Sequence, residues 1–178
     1  MLNVTRYDSG NQPVGSVTYA YDAHGRVASA TDARTGATTF AYNAADQVVS
    51  VTGPDPGAGQ PRPVTSTFCD NSGRITGTQL ADGATTTNLY YPSGLLWRTW
   101  GARVYPVEYA YDSQGRLQTL STWQDFGGQS GSATTRWIYD ERGRLLAKEY
   151  PDPVTGAPLA NSGPLYAYSD AGRLISRG

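Results

Sequence analysis

His24 is the only histidine in the chain, so any Ser–His–Asp or Cys–His relay has to run through it. It stands in the phrase Tyr21-Asp22-Ala23-His24-Gly25-Arg26, at a position that other copies of the phrase fill with Ser72, Gln114 and Arg142. A position so freely exchanged reads as an exposed turn residue, and no catalytic residue is assigned. Cys69 is likewise single, which excludes an intrachain disulfide and a cysteine-based zinc site. It occupies a place that other copies give to tyrosine, so it reads as a small buried thiol rather than a reactive thiolate. Asp22, Asp70, Asp112 and Asp140 recur, and recurring carboxylates can serve metal or paired acid–base chemistry. Each, however, is followed three residues on by glycine (Gly25, Gly73, Gly115, Gly143) and four on by arginine (Arg26, Arg74, Arg116, Arg144). That is the pattern of a side-chain-capped turn. There is no phosphate-cradling loop, zinc spacing or nucleophile elbow, so no metal and no cofactor is implied.

Aromatic residues offer a second kind of chemistry. Trp97, Trp100 and Trp123, with the tyrosines, would form a stacking platform for sugar rings if one sheet face is open to solvent. A sheet must also bury something, and these rings are its largest apolar asset. Trp97 and Trp100 lie three apart, so on one regular strand they point to opposite faces, and at least one is a candidate for exposure or for an interface.

The composition limits the elements that carry these residues. The chain has 178 residues, with 21 glycines, 11 prolines and only 16% charged residues, a poor mixture for long helices. It excludes a coiled coil, a transmembrane protein and a disordered tail, and points to an all-β chain rich in turns and tyrosine. A compact chain of this length is expected to bury about 70% of its unfolded surface and to hold a core unaided. The net charge is −1, and no basic block exists to track phosphates, so nucleic acid is not an expected partner. Thirteen of the fourteen basic residues are arginine and Lys148 is the only lysine; 13 tyrosines stand against 3 phenylalanines. Planar guanidinium groups beside so many phenols point to placed, structural cations. The N-terminal residues contain no apolar segment of the kind found in a secretory signal.

The elements follow from an internal repeat. One phrase recurs seven times: Tyr19 to Val27, Phe40 to Val48, Thr67 to Ile75, Leu89 to Leu96, Tyr109 to Leu117, Trp137 to Leu145 and Tyr166 to Leu174. Its anchors stand at Tyr21, Tyr42, Cys69, Tyr91, Tyr111, Tyr139 and Tyr168, and ten of the thirteen tyrosines lie inside it. Aromatic-x-aromatic places two rings on one face of a strand; the acidic or amide residue then caps a turn, glycine supplies a positive φ, and arginine opens the return strand. Asp46 replaces the glycine in the second copy and tolerates the left-handed region. In the fourth copy Pro92 follows Tyr91 in the aspartate's place, suited to the first central position of a turn, before Gly94; the seventh ends Gly172-Arg173. Each repeat is two strands and two turns, about fourteen strands in all. The length differences fall in Gly-Pro-rich loops over 53–63, 124–132 and 151–163. The chain therefore reads as a single antiparallel β-hairpin repeat array over 1–178, with 1–13 an incomplete leading strand and turn. Stacked tyrosine rows and one rim of Gly-Arg turns are expected, and the open sheet edges are expected to pair with further repeats or with a second copy.

The phrase Tyr-Asp-x-x-Gly-Arg-Leu, as in Tyr21 to Val27, Tyr111 to Leu117 and Tyr139 to Leu145, resembles the YD repeat of rearrangement-hotspot (Rhs) proteins and teneurins, and the resemblance runs from about residue 14 to 178. It implies that the array is part of a β-shell or barrel-like wall. In the bacterial members of that family such a shell encloses a toxin polypeptide, as in the insecticidal toxin complexes; in teneurins it is an extracellular scaffold. It also implies a secreted or cell-surface parent protein. Family shells contain more than seven repeats, so this chain makes part of a wall. Asp152-Pro153-Val154-Thr155-Gly156 echoes the Asp-Pro segment tied to self-cleavage in the bacterial family. Another full repeat follows it, and it reads as an ordinary second turn. A glycan-binding module built on Trp97, Trp100 and Trp123 is the alternative.

Overall fold

The computed structural model describes residues 1–178. It contains no helix, and within each sheet the strands pair antiparallel with their neighbours in chain order. The chain divides into two compact units, Met1–Thr87 and Asn88–Gly178.

The first unit holds β1 (Leu2–Tyr7), β2 (Pro13–Tyr21), β3 (Val27–Asp32), β4 (Gly36–Tyr42), β5 (Val48–Thr52), β6 (Val64–Cys69), β7 (Ile75–Gln79) and the start of β8 (Thr85–Tyr90). These strands are rich in Val, Thr, Tyr and Phe, the residues that fit a half-buried pleated surface. Every second connection is the expected turn. In β2–β3 the register runs Ala20↔Ser29 and then slips to Tyr21↔Val27. The same one-residue slip recurs between Ala41 and Tyr42 and between Phe68 and Cys69. Because of this bulge, strict alternation does not fix the direction of the second ring of each Tyr-x-Tyr pair. The 53–63 loop is closed at its neck: the Gly53 N–H donates to the Pro63 carbonyl at 2.8 Å, and Arg62 Nε donates to the Gly53 carbonyl at 2.7 Å.

The second unit holds β9 (Leu96–Gly101), β10 (Val104–Tyr111), β11 (Leu117–Asp125), β12 (Ser130–Tyr139), β13 (Leu145–Glu149), β14 (Tyr166–Tyr168) and β15 (Leu174–Arg177). The final pair, β14–β15, forms its own two-stranded sheet; beside it Leu165 bridges Ala147 of β13, and the Tyr168 hydroxyl donates to the Leu145 carbonyl. The loop expected over 124–132 is shorter, because β11 and β12 continue to an Asp125↔Ser130 pair. The loop over 151–163 is long, and folds back: the Thr134 N–H of β12 donates to the Gly156 carbonyl at 2.8 Å. Gly156 lies so close to β12 that a Cβ there would stand 1.7 Å from the Ser132 carbonyl oxygen.

Two expectations need correction. There are fifteen strands rather than fourteen, because the leading segment is a complete hairpin: Asp8 N–H donates to Gln12 C=O and Asn11 N–H to Asp8 C=O, closing the same turn as the seven recognised copies. The chain also does not bury a conventional core. Its accessible surface is 11568 Å², against about 8,400 Å² for a compact monomer of this mass. Only Gly77, Trp123, Ala147 and Glu149 are buried, and no side chain is completely enclosed. Hydrogen-bond ladders and side-chain stacking along the sheet do what a second layer does in a globule.

Candidate functional site

The recurring turn is the chain's most repeated chemical feature. In the fifth copy the Asp112 N–H donates to the Arg116 carbonyl and the Gly115 N–H to the Asp112 carbonyl, both at 3.0 Å. Gly115 is at φ +77°, a conformation that a residue with a Cβ rarely adopts. Asp112 Oδ1 accepts the Gln114 and Arg116 N–H groups at 2.9 Å each, and Oδ2 accepts Arg116 Nε at 2.6 Å. Asp22–Arg26, Asp70–Arg74 and Asp140–Arg144 repeat this scheme. In the second copy Asn43 Oδ1 accepts the Ala45 and Gln47 N–H groups while its Nδ2 donates to Gln47 Oε1 at 3.1 Å, and Asp46 takes φ +60° in the glycine's place as expected. In Asp112 and Asp140 partial burial opposes ionisation, but the backbone and side-chain hydrogen bonds from the following arginine outweigh it and hold the carboxyl below its ordinary range. Asp22 is lowered chiefly by the Arg26 side chain, and Asp70 chiefly by the Arg74 N–H.

The arginines reach further than the sequence implied. Arg26 lies 4.4 Å over the Tyr42 ring, Arg116 4.7 Å over Tyr139 and Arg144 4.7 Å over Tyr168, in each case the tyrosine of the next copy. That tyrosine returns a bond: Tyr42 Oη donates to the Val27 carbonyl at 2.8 Å, Tyr139 to Leu117 at 2.9 Å and Tyr168 to Leu145 at 3.0 Å. Arg116 Nη1 and Arg144 Nη1 also donate to the carbonyls of Asp140 and Ser169, the first residues of the next turns, at 3.3 Å. The guanidinium then rests against the next glycine, where a Cβ would stand 3.1 Å from Arg116 Nη1 at Gly143 and 3.7 Å from Arg144 Nη1 at Gly172. Aspartate, arginine, glycine and the next tyrosine therefore form one joint between successive repeats. The expected ring-on-ring tyrosine rows are replaced here by alternating rings and guanidinium groups.

Two copies depart from the joint. In the third, Cys69 replaces the ring, and it is half-buried rather than buried; Gln47 Nε2 reaches across to the Gly73 carbonyl at 2.7 Å. In the fourth, the anchor is Tyr90 and not Tyr91. The Tyr91 N–H donates to the Leu95 carbonyl and the Gly94 N–H to the Tyr91 carbonyl, so Tyr91 occupies the aspartate's place and Leu95 the arginine's. Pro92 does sit at the first central position of the turn. Two adjacent tyrosines made the phrase ambiguous by one residue; counting back four from Gly94 would have resolved it.

His24 is exposed on its turn, as expected, and its N–H donates to Asp22. Trp97, Trp100 and Trp123 are brought into one neighbourhood, but as neighbours of other side chains. Trp123 is 9% exposed and packs its ring 5.4 Å from Phe126, which also meets Trp100 at 5.8 Å. Arg98, paired with Glu108, lies 5.1 Å from the Trp97 ring, 5.6 Å from Trp123 and 5.5 Å from Phe126. Trp97 turns to Tyr91, 6.0 Å away, and Trp100 to Phe126; both are half-buried. As a platform residue Trp123 is therefore excluded by burial. Arg98 and Phe126, which the sequence reading missed, fill the space between the rings.

The fold and joint define an antiparallel β-hairpin repeat array. Residues 21–58 match the RHS repeat, which bears out the resemblance to the Rhs/YD-repeat family read from the tyrosine phrase. No curated protein matches the chain. Among solved structures the chain is similar to the crystal structure of TcdB2-TccC3-Cdc42, with a TM-score of 0.64 and 18% identity over 94% of this chain and 9% of that one. It is also similar to that of TcdB2-TccC3-TEV, with a TM-score of 0.63 and 14% identity over 98% of this chain and 11% of that one. The chain thus spans about a tenth of the length of the chains it resembles, and the likeness is one of fold.

Proposed function

We propose that the chain is a non-enzymatic wall segment of an Rhs/YD-repeat protein, whose role is to enclose or present a polypeptide. The observation that carries this reading is the joint itself. The recurrent carboxylates that might have done chemistry are each engaged by backbone N–H groups, and Arg26, Arg116 and Arg144 each by an aspartate and the next repeat's ring, so these groups serve rigidity. The low burial supports it too, since a sheet that leaves both faces half-exposed has surface to lay against an enclosed chain. The match to the RHS repeat and the fold shared with the TcdB2-TccC3 structures support a toxin polypeptide as the enclosed partner, and a secreted or cell-surface parent. Further repeats would pair with β1, whose residues are all exposed. The glycan-platform alternative has less in its favour, because the three tryptophans pack against Arg98, Phe126 and Tyr91. Limited proteolysis of the native gene product tests the proposal. A wall predicts a resistant array that shields a second, protease-sensitive polypeptide until the array is denatured; simultaneous digestion of both at native conditions would overturn it.

A further inference from the structure

The joint between the fourth and fifth copies contains a seat without its usual occupant. At the joints of Arg26, Arg116 and Arg144, a guanidinium lies 4.4–4.7 Å over the next tyrosine ring. At the latter two it also donates to the carbonyl of the first residue of the next turn. In the fourth copy the arginine's place holds Leu95, whose Cδ1 rests 3.7 Å from where a Gly115 Cβ would stand. Leucine reaches the glycine but is shorter than an arginine arm and donates nothing. What remains is an open cavity of about 340 Å³, lined by Tyr111, Asp112, Leu95, Pro92, Ala110 and Tyr91, whose ring meets that of Tyr111 edge-on at 6.1 Å.

We propose that this cavity receives an arginine side chain presented by a partner polypeptide. The ring of Tyr111 and the Asp112 carbonyl correspond to the ring and carbonyl that accept Arg116 at Tyr139 and Asp140, so the chain itself shows which group fits them. Leu95 and Pro92 offer apolar contact to the aliphatic stem of an incoming arginine. A lysine would serve poorly, because a compact, strongly hydrated ammonium neither stacks flat on the ring nor donates sideways while doing so. With Tyr91 in the aspartate's place the seat lacks a fixed carboxylate partner, and the Asp112 carboxylate is engaged by Arg116. Binding is therefore weak and reversible, as suits recognition rather than permanent bracing. This inference goes beyond the wall reading and stands whether or not the chain encloses a cargo.

The test is a titration of the full chain with N-acetyl-L-arginine amide, followed by two-dimensional amide NMR. Shifts are expected to concentrate in 91–95 and 110–115 and to saturate on the order of millimolar ligand. The neutral isostere N-acetyl-L-citrulline amide should bind about two- to fivefold more weakly, the range expected when a cation–π contact at an open site is removed. Leu95→Arg should abolish the local shifts, because the chain then fills its own seat. Tyr111→Leu should weaken binding while leaving apolar bulk, and with the citrulline comparison on the unaltered chain it decides the matter if Leu95→Arg does not fold. Equal binding of the two ligands, shifts spread evenly over all turns, or undiminished binding by Leu95→Arg would each overturn the proposal.

Discussion

If arginine and tyrosine hold neighbouring repeats together as one unit, their contributions cannot be independent. The joint between the fifth and sixth copies is the cleanest case. Arg116 lies 4.7 Å over the Tyr139 ring, and the Tyr139 hydroxyl donates to Leu117 at 2.9 Å. Tyr139→Phe keeps the ring and removes the hydrogen bond; with the Leu117 carbonyl only half-buried and open to water, the loss is about 0.5–1 kcal/mol, the lower part of the usual range. Tyr139→Leu and Arg116→Leu each destabilise by more, because each also removes packing. The informative quantity is the interaction term of the double mutant, which isolates the ring–guanidinium contact. At a half-exposed site it should be about 0.5–1 kcal/mol, a factor of roughly two to five in the unfolding equilibrium. Urea unfolding of the four proteins measures it, with midpoints compared at a common slope. The Phe variant should retain nearly all of the coupling to Arg116 and the Leu variant none. Strict additivity of Arg116→Leu and Tyr139→Leu would show that the two residues merely lie close together, and the joint would lose its standing as the unit of cohesion.

Further outcomes follow from the same geometry. Gly83→Ala and Gly156→Ala share positive φ values of +82° and +71°, but Gly83 has nothing within 4 Å of an added Cβ whereas Gly156 meets the Ser132 carbonyl at 1.7 Å. The first should lose about 1–2 kcal/mol of stability through backbone strain alone, and the second more, with loss of hydrogen-exchange protection at the Thr134 amide; equal effects would mean that the 151–163 loop is not docked on β12. The turn aspartates Asp22, Asp70, Asp112 and Asp140 have carboxyls held below their unfolded values, so their contribution is fully present above the ordinary carboxylate range and is lost as pH falls through the lowered folded values. Unfolding midpoints should therefore be flat from neutral pH down to about 5 and fall below about 4, and Asp112→Asn should flatten that fall. Pairing through the exposed β1 edge predicts a concentration-dependent mass by light scattering, and a lysine in place of Val4 should suppress it; a strictly monomeric species at high concentration counts against edge pairing.

The class of fold was legible because its signal is local and repeated. Tyr-Asp-x-x-Gly-Arg specifies a turn by the chemistry of four residues, and repetition fixed the strand order without any long-range inference. The leading copy was missed because Asn11 and Gln12 stand where the phrase has glycine and arginine, although Tyr7-Asp8 and the left-handed tolerance of Asn11 were there to be read. The bracing role of the arginines was not legible. Sequence distance between Arg116 and Tyr139 varies from joint to joint with loop length, so no fixed spacing links donor to ring; only the pairing of β11 with β12 brings them together. The absence of a conventional core was hidden for a related reason. Composition reports how much apolar surface a chain has, but not whether a single sheet layer leaves it half in water.

The joint also accounts for the lopsided composition. Arg116 directs Nε at Asp112 within its own turn, Nη1 at the Asp140 carbonyl of the next, and its flat face at the Tyr139 ring. One ammonium cannot meet three partners in those fixed directions, so lysine is of no use there. The one lysine, Lys148, lies outside the turns, 5.3 Å over Trp137 and 4.8 Å over Tyr150. Phenylalanine would accept the guanidinium but leave Val27, Leu117 and Leu145 without the hydroxyl that reaches their carbonyls, which is why the ring at the joint is tyrosine. Glycine serves twice, since its left-handed turn and its missing Cβ both make room for the arginine of the repeat before. A residue changed at any of these positions therefore alters two repeats at once. In two copies the capping residue and the bracing residue change together, Asn43 with Gln47 and Tyr91 with Leu95, whereas Ser169 caps its turn beside an unchanged arginine, accepting the Arg173 N–H at 3.1 Å.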